Sequence, residues 1–155
     1  MPNEKIKILY VDDEENNLNS FKATFRRDHE VHTAISGPAA LDMLENLDVD
    51  IIITDQRMPE MTGVEFLQKV MANYSSEPMR ILLTGFSDIQ AVIDAINKGE
   101  VYRYLTKPWE PDFMRSMILQ AYEVLKLRRD KEQLTEDLAR ANEQLEFYLR
   151  QKLLS

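Results

Sequence analysis

The sequence predicts an α/β fold, a doubly wound five-stranded parallel sheet with an extended C-terminal helix. Three observations predict it. Five short apolar runs alternate with segments of helical periodicity. Charged residues stand just past three of those runs. No glycine or proline interrupts the chain from Glu123 to Leu154. Strands alternating with helices imply a parallel sheet covered on both faces, with right-handed crossovers.

The first strand is expected over Ile6–Val11, ending in the apolar run Ile8-Leu9-Tyr10-Val11. A helix should follow from about Glu15 to Arg26, with Leu18, Phe21 and Phe25 on one face. Glu30–Ala34 reads as the second strand. Its helix starts at Pro38, a favoured first helical position, and carries Leu41 and Leu44. The third strand, Ile51–Thr54, is a continuous β-branched run and should be buried on both faces. Its helix follows Gly63 and carries Val64, Leu67 and Val70 or Met71. Arg80–Thr84 is the fourth strand. Ser87-Asp88 then offers an N-cap for a helix presenting Ile89, Val92, Ile93 and Ile96, with Gly99 as its stop. Tyr102–Thr106 is the fifth strand, and the fifth helix begins near Pro111-Asp112.

That last helix outruns the domain. The expected division is a domain over 1–127 and a coiled-coil segment over 128–155. Leu127, Leu134, Ala141 and Tyr148 fit one heptad position; Val124, Lys131, Leu138, Leu145 and Lys152 fit the other. The two lysines are faults in this seam. A helix polar on most faces is marginal alone, so the segment is expected to pair with a partner.

The chain has 155 residues and a net charge of −8. Six basic and six acidic residues balance from Arg128 onward, so the negative charge belongs to 1–127. An acidic domain argues against direct binding to nucleic acid or to an anionic membrane. No cysteine is present, which excludes disulfides, thiolate nucleophiles and cysteine-bound zinc. No apolar run approaches the roughly 20 residues that span a bilayer. The N-terminus lacks the apolar core of a signal peptide. A cytoplasmic location is expected. Gly37, Gly63, Gly85 and Gly99 are dispersed, so neither a phosphate-binding glycine loop nor a dinucleotide fingerprint is present.

Asp55 is the most informative residue. It follows the third strand, at the sheet edge where open α/β folds place their chemistry. Asp12-Asp13 follows the first strand, Thr84 ends the fourth, and Lys107-Pro108 follows the fifth. Converging carboxylates repel unless a cation joins them. Oxygen ligands with room for water suit Mg²⁺. Asp55 would then be the nucleophile toward a phosphoryl group, with Lys107 and Thr84 contacting its oxygens. Singly, each residue has a plain structural role: an acidic first helical turn, a strand-end turn, a surface lysine, a strand threonine. Their shared position at strand ends favours the joint reading. His29 and His32 lack metal-ligand spacing and read as structural or surface residues.

The set Val11-Asp12-Asp13-Glu14, Asp55 with Pro59 and Gly63, Thr84-Gly85 and Lys107-Pro108 resembles the receiver domain of two-component response regulators. The resemblance covers roughly residues 5–127. It implies a flavodoxin-like sheet of order 2-1-3-4-5. It makes Asp55 the phosphoacceptor and Asp12, Asp13, Asp55 and the Arg57 backbone carbonyl the metal ligands. Thr84 and Tyr104 become the switch pair, with Lys107 bound to the phosphoryl group. The implied donor is a sensor histidine kinase or a histidine phosphotransfer protein. Arg57 and Phe86, each two residues past a pocket residue, are expected to shield the phosphoryl group and slow its hydrolysis.

The resemblance also implies that the face of the fourth helix, fifth strand and fifth helix changes on phosphorylation. No separate catalytic domain is expected in this chain. The stretches Leu83–Asp88 and Asn97–Trp109 look similar to receivers heading multidomain regulators, including those fused to cyclic-dinucleotide phosphodiesterases. Two readings of the last helix stand: a homodimer seam that transmits the switch, and a constitutive coil on a receiver that does not switch. Phosphatases with an aspartyl nucleophile are a rival class, but they place a second acid where this chain has Arg57.

Overall fold

The computed structural model describes residues 5–74 and 77–154, without the side chains of Tyr74 and Phe86. The expectations for the N-terminal segment 1–4 and for the Phe86 ring therefore lie outside the described residues. Five strands form one parallel sheet: β1 (Lys7–Val11), β2 (Glu30–Ala34), β3 (Ile51–Asp55), β4 (Met79–Thr84) and β5 (Arg103–Thr106), in the order β2-β1-β3-β4-β5. Helices α1 (Glu15–Phe25), α2 (Gly37–Leu44), α3 (Gly63–Tyr74), α4 (Ile89–Asn97) and α5 (Pro111–Leu154) follow the strands in turn. This is the expected doubly wound fold in the expected order.

Strands β3 and β4 are buried along their whole length, as the apolar runs Ile51–Ile53 and Ile81–Leu83 require, and the buried Arg80 of β4 donates to backbone carbonyls of Pro78, Gly99 and Glu100. Asp55 is the last residue of β3 rather than the first beyond it, because its backbone still pairs with β4 in register with Leu83. Leu9, Val11, Ile52 and Leu82 share one core with Leu44, Phe66, Leu67, Val70, Val92 and Ala95 of α2, α3 and α4. Each large side chain of this kind contributes about 1.5–3 kcal/mol through burial. Alternation along β1 sends Tyr10 to the opposite face. There it stacks on Phe21 of α1, with ring centroids 4.2 Å apart and planes 1° off parallel.

Three local expectations change. Helix α2 begins at Gly37, one residue before Pro38, because the Ser36 hydroxyl accepts the Ala39 N–H at 3.1 Å and caps it. A 3₁₀ turn over Phe86–Asp88 precedes α4, and the Asp88 side chain makes no cap. Its carboxylate instead accepts the Arg57 Nε–H at 3.1 Å. On α4 the inward positions are Val92 and Ala95, while Ile93 is 41% exposed. Val92 and Ala95 are three residues apart and so share one face of the helix, from which Ile93 is turned by about 100°.

The chain divides into two compact units, Met1–Tyr122 and Glu123–Ser155. Helix α5 supplies residues to both. Within the first, Met114, Met117, Ile118 and Ala121 are buried at helical spacing. In the second, every described residue from Lys131 onward is exposed. No helix among the described residues is long and apolar enough to cross a membrane.

Candidate functional site

The order of the sheet places β1 beside β3, with β2 and β4 outside them. Connections leave β1 toward one side and β3 toward the other. A crevice opens at such a switch point, outside the C-terminal strand ends. Asp12 and Asp13 follow β1 there, and Asp55 ends β3. One ligand oxygen from each of the three lies within 4.8 Å of the others. Asp12 and Asp55 are buried and Asp13 is half-buried.

Lys107 reaches the same point from the end of β5. Its Nζ lies 2.7 Å from Asp55 Oδ2. The Lys107 backbone N–H donates to the Thr84 carbonyl at 3.0 Å, which extends the β4–β5 pairing by one bond and holds the start of the loop. The Lys107–Pro108 peptide is cis. Burial pushes the Asp55 carboxyl above its ordinary range, the Lys107 ammonium opposes this, and the nearby Asp12 adds to the rise.

Asp12 is held tightly. Its Oδ1 accepts the Glu14 N–H at 2.9 Å, and its Oδ2 accepts from Asn17 Nδ2 at 3.1 Å and Tyr10 OH at 3.2 Å. Burial and the Asp12 charge both push the Tyr10 phenol upward, so it remains a donor. Trp109 lies edge-on to Phe21 at 5.8 Å and completes the aromatic group with Phe25.

The segment after Asp55 is braced by Gln56. Its side-chain oxygen accepts the Val64 N–H at 2.9 Å, and its carbonyl accepts the Gly63 N–H at 3.0 Å. Gly63 has no room for a side chain. A Cβ there would stand 2.3 Å from the Asp55 carbonyl oxygen and 2.8 Å from Leu82 Cδ1.

Three carboxylates facing one ammonium leave excess negative charge among oxygen donors. That donor set fits a hard divalent cation such as Mg²⁺. Thr84 is buried at the end of β4, and its hydroxyl donates to the Gly85 carbonyl at 3.1 Å. Tyr104 is 38% exposed on β5. The Arg57 guanidinium turns to the start of α4, donating from Nη2 to Ser87 Oγ at 2.8 Å and from Nε to Asp88. His32 pairs with Glu30 at 2.9 Å. His29 is buried, and among the described residues its two ring nitrogens have no hydrogen-bond partner.

Sequence reasoning placed the acids, Lys107 and Thr84 at one sheet edge. It missed Tyr10, Asn17 and Gln56 as supports. A tyrosine inside an apolar strand next to an acidic pair was the available signal for the first. Of the expected seam, Leu127, Leu134, Leu138, Leu145 and Tyr148 are each more than half exposed, Ala141 is exposed, and Val124 is half-buried.

Comparison with known proteins agrees with this geometry. The family model described as "Response regulator receiver domain" matches residues 8–119. The chain is 34% identical over its full length to the "Hydrogenase transcriptional regulatory protein HoxA" of Cupriavidus necator, of which it spans 32%. It is 34% identical over 116 residues to a "Chemotaxis protein CheY homolog" of Campylobacter jejuni, covering 73% of this chain and 89% of that one. Among solved structures it is similar to one titled as an adenylate cyclase from Rhodopirellula baltica, with TM-score 0.81, 34% identity, and coverage of 85% and 98%. It is also similar to the signal receiver domain of an HD domain-containing protein from Pseudomonas fluorescens, with TM-score 0.74, 34% identity, and coverage of 79% and 98%. The chain spans about a third or less of the first curated relatives it matches.

Proposed function

The chain belongs to the response regulator receiver family of two-component signalling, and on that premise we propose that Asp55 accepts a phosphoryl group and that the resulting switch acts through α5. The observation that carries this reading is the convergence of three carboxylates with the Lys107 ammonium on Asp55. The donor is a phosphohistidine on a sensor kinase or phosphotransfer protein. A carboxylate oxygen of Asp55 attacks phosphorus, the P–N bond breaks as the P–O bond forms, and the histidine leaves with the bond's electron pair.

Asp12, Asp13, Asp55 and the Arg57 carbonyl would hold Mg²⁺, which when bound offsets charge on the transferred group. Lys107 exchanges its contact with Asp55 for one with the phosphoryl oxygens. The Thr84 hydroxyl, now on the Gly85 carbonyl, turns toward the same oxygens, and Tyr104 moves inward behind it. That rearranges the α4–β5–α5 face. Arg57 and Phe86, each two residues past a pocket residue, slow hydrolysis of the phosphoryl group.

The exposed seam of the second unit supports a homodimer through α5, with the change carried as altered pairing or geometry. An output domain beyond this segment would receive it. The curated relatives that are several times longer fit such an arrangement. The same exposed leucines equally fit a constitutive coil on a receiver that does not switch. We place the protein in the cytoplasm, with no direct contact to nucleic acid.

Light scattering in Mg²⁺, with and without beryllofluoride as a phosphoaspartate mimic, separates the readings. A monomer that dimerises only with Asp55 intact supports a phosphorylation-driven seam. A dimer in both states supports a constitutive one. A failure of Asp55 to incorporate phosphate from any phosphohistidine or small-molecule donor would sink the phosphoacceptor reading.

A further inference from the structure

We propose that Tyr10 is a positioning residue for the cation site, acting with Asn17 to fix which oxygen of Asp12 is free to face the metal. The inference rests on reading Asp12, Asp13 and Asp55 as that site.

A buried phenol needs a hydrogen-bond partner. Tyr10 is 1% exposed, and its ring stacks face to face on Phe21. Phenylalanine would fill the same space and keep the stack. The hydroxyl is therefore not explained by packing. Its partner is Asp12 Oδ2, at 3.2 Å.

An ionised carboxylate offers about four lone-pair positions, two on each oxygen. Tyr10 OH and Asn17 Nδ2 fill both positions on Oδ2. The Glu14 N–H takes one on Oδ1. One position on Oδ1 is left for the cation or for a water bound to it. Free rotation of the carboxylate would break three bonds at once. The two side-chain donors thus aim Asp12 before any cation arrives.

Partners of metal ligands of this kind change affinity by roughly 10–100-fold when removed. The test uses the whole chain and Mg²⁺ alone. Thermal midpoints are measured across a Mg²⁺ series for wild type, Tyr10→Phe and Asn17→Ala, since a ligand at free concentration L stabilises the folded state by RT ln(1 + L/Kd), so a weaker site needs proportionally more ligand for the same rise. Tyr10→Phe is expected to need about ten times more Mg²⁺ for the same rise. Asn17→Ala, at a half-buried helical position, guards against a fold defect in the first variant and is expected to shift the series the same way. If both variants follow the wild-type series, the donors only pack and the inference falls alone. If wild type itself ignores Mg²⁺, the cation site falls and takes the inference with it.

Discussion

Leucine serves opposite ends in the sheet-bearing unit and in the helix from Lys131 onward. Up to Tyr122, Leu9, Ile52, Leu67 and Leu82 vanish into a sheet-and-helix core. After Glu123, Leu134, Leu138, Leu145 and Leu153 stand in solvent on a helix held by its own backbone and a few short-range pairs such as Arg150–Glu146 at 3.6 Å. Pairs of that kind contribute about 0.2–0.5 kcal/mol each. The first unit carries its stabilising contacts internally. In the second, Leu125 is buried, and from Lys131 onward the apolar side chains are exposed and become useful only against another surface. Spacing alone does not separate these cases.

The sharpest break between the units is chemical. Asp55→Ala should abolish phosphoryl incorporation from a small phosphodonor in Mg²⁺, read by intact mass. A coil-only change, Leu134→Asp with Leu138→Asp, should leave that mass gain in place. The same double change should abolish any dimer seen by light scattering. A dimer that survives it would place the interface elsewhere.

Stability should divide along the same line. Phe66→Ala empties a fully buried position and should cost about 3–5 kcal/mol in denaturant unfolding. Leu145→Ala, measured in the monomer, should change stability by no more than about 0.5 kcal/mol. Comparable losses at both positions would mean that the second unit is packed, against the exposure described.

Acid should weaken the first unit through the buried His29. Burial holds His29 below its ordinary value of 6.5; Asp28 opposes this and Arg115 reinforces it. The unfolded chain therefore takes up the proton first. The His29 contribution is complete above pH 6.5 and is lost as pH falls through the folded value. His29→Leu should flatten the fall in thermal midpoint below pH 6.5. An unchanged slope would assign the acid sensitivity to the carboxylates.

The smallest expected effect concerns Arg57. With its guanidinium on Ser87 and Asp88, Arg57→Ala removes an exposed pair worth about 0–1 kcal/mol. Midpoints should barely move, whereas the lifetime of phospho-Asp55 should shorten if Arg57 covers the pocket. An unchanged lifetime would leave the residue with its link to α4 alone.

The strands were legible because apolar runs such as Ile51–Ile53 and Ile81–Leu83 lie at their centres, and the site was legible because Asp12, Asp55, Thr84 and Lys107 stand at strand ends. Boundaries were less so. Whether Asp55 closes β3 depends on its pairing with β4, which no local pattern encodes. On α4, Val92 and Ile96 lie where the pattern put them, but Ala95 was missed because alanine carries little hydrophobic signal, and Ile93 stands 41% exposed. Tyr10 was hidden inside a strand that looked purely apolar. Its second role needed the three-dimensional nearness of Asp12.

Trp109 is the sole tryptophan. It touches Phe21, which stacks on Tyr10, which bonds Asp12, and it sits two residues past Lys107. The protein thus holds its one indole at the edge of its own pocket. Light absorbed at the red end of the ultraviolet excites that indole alone. Its emission colour and lifetime are therefore an optical gauge of this corner, readable in the unlabelled chain and free of signal from the exposed helix.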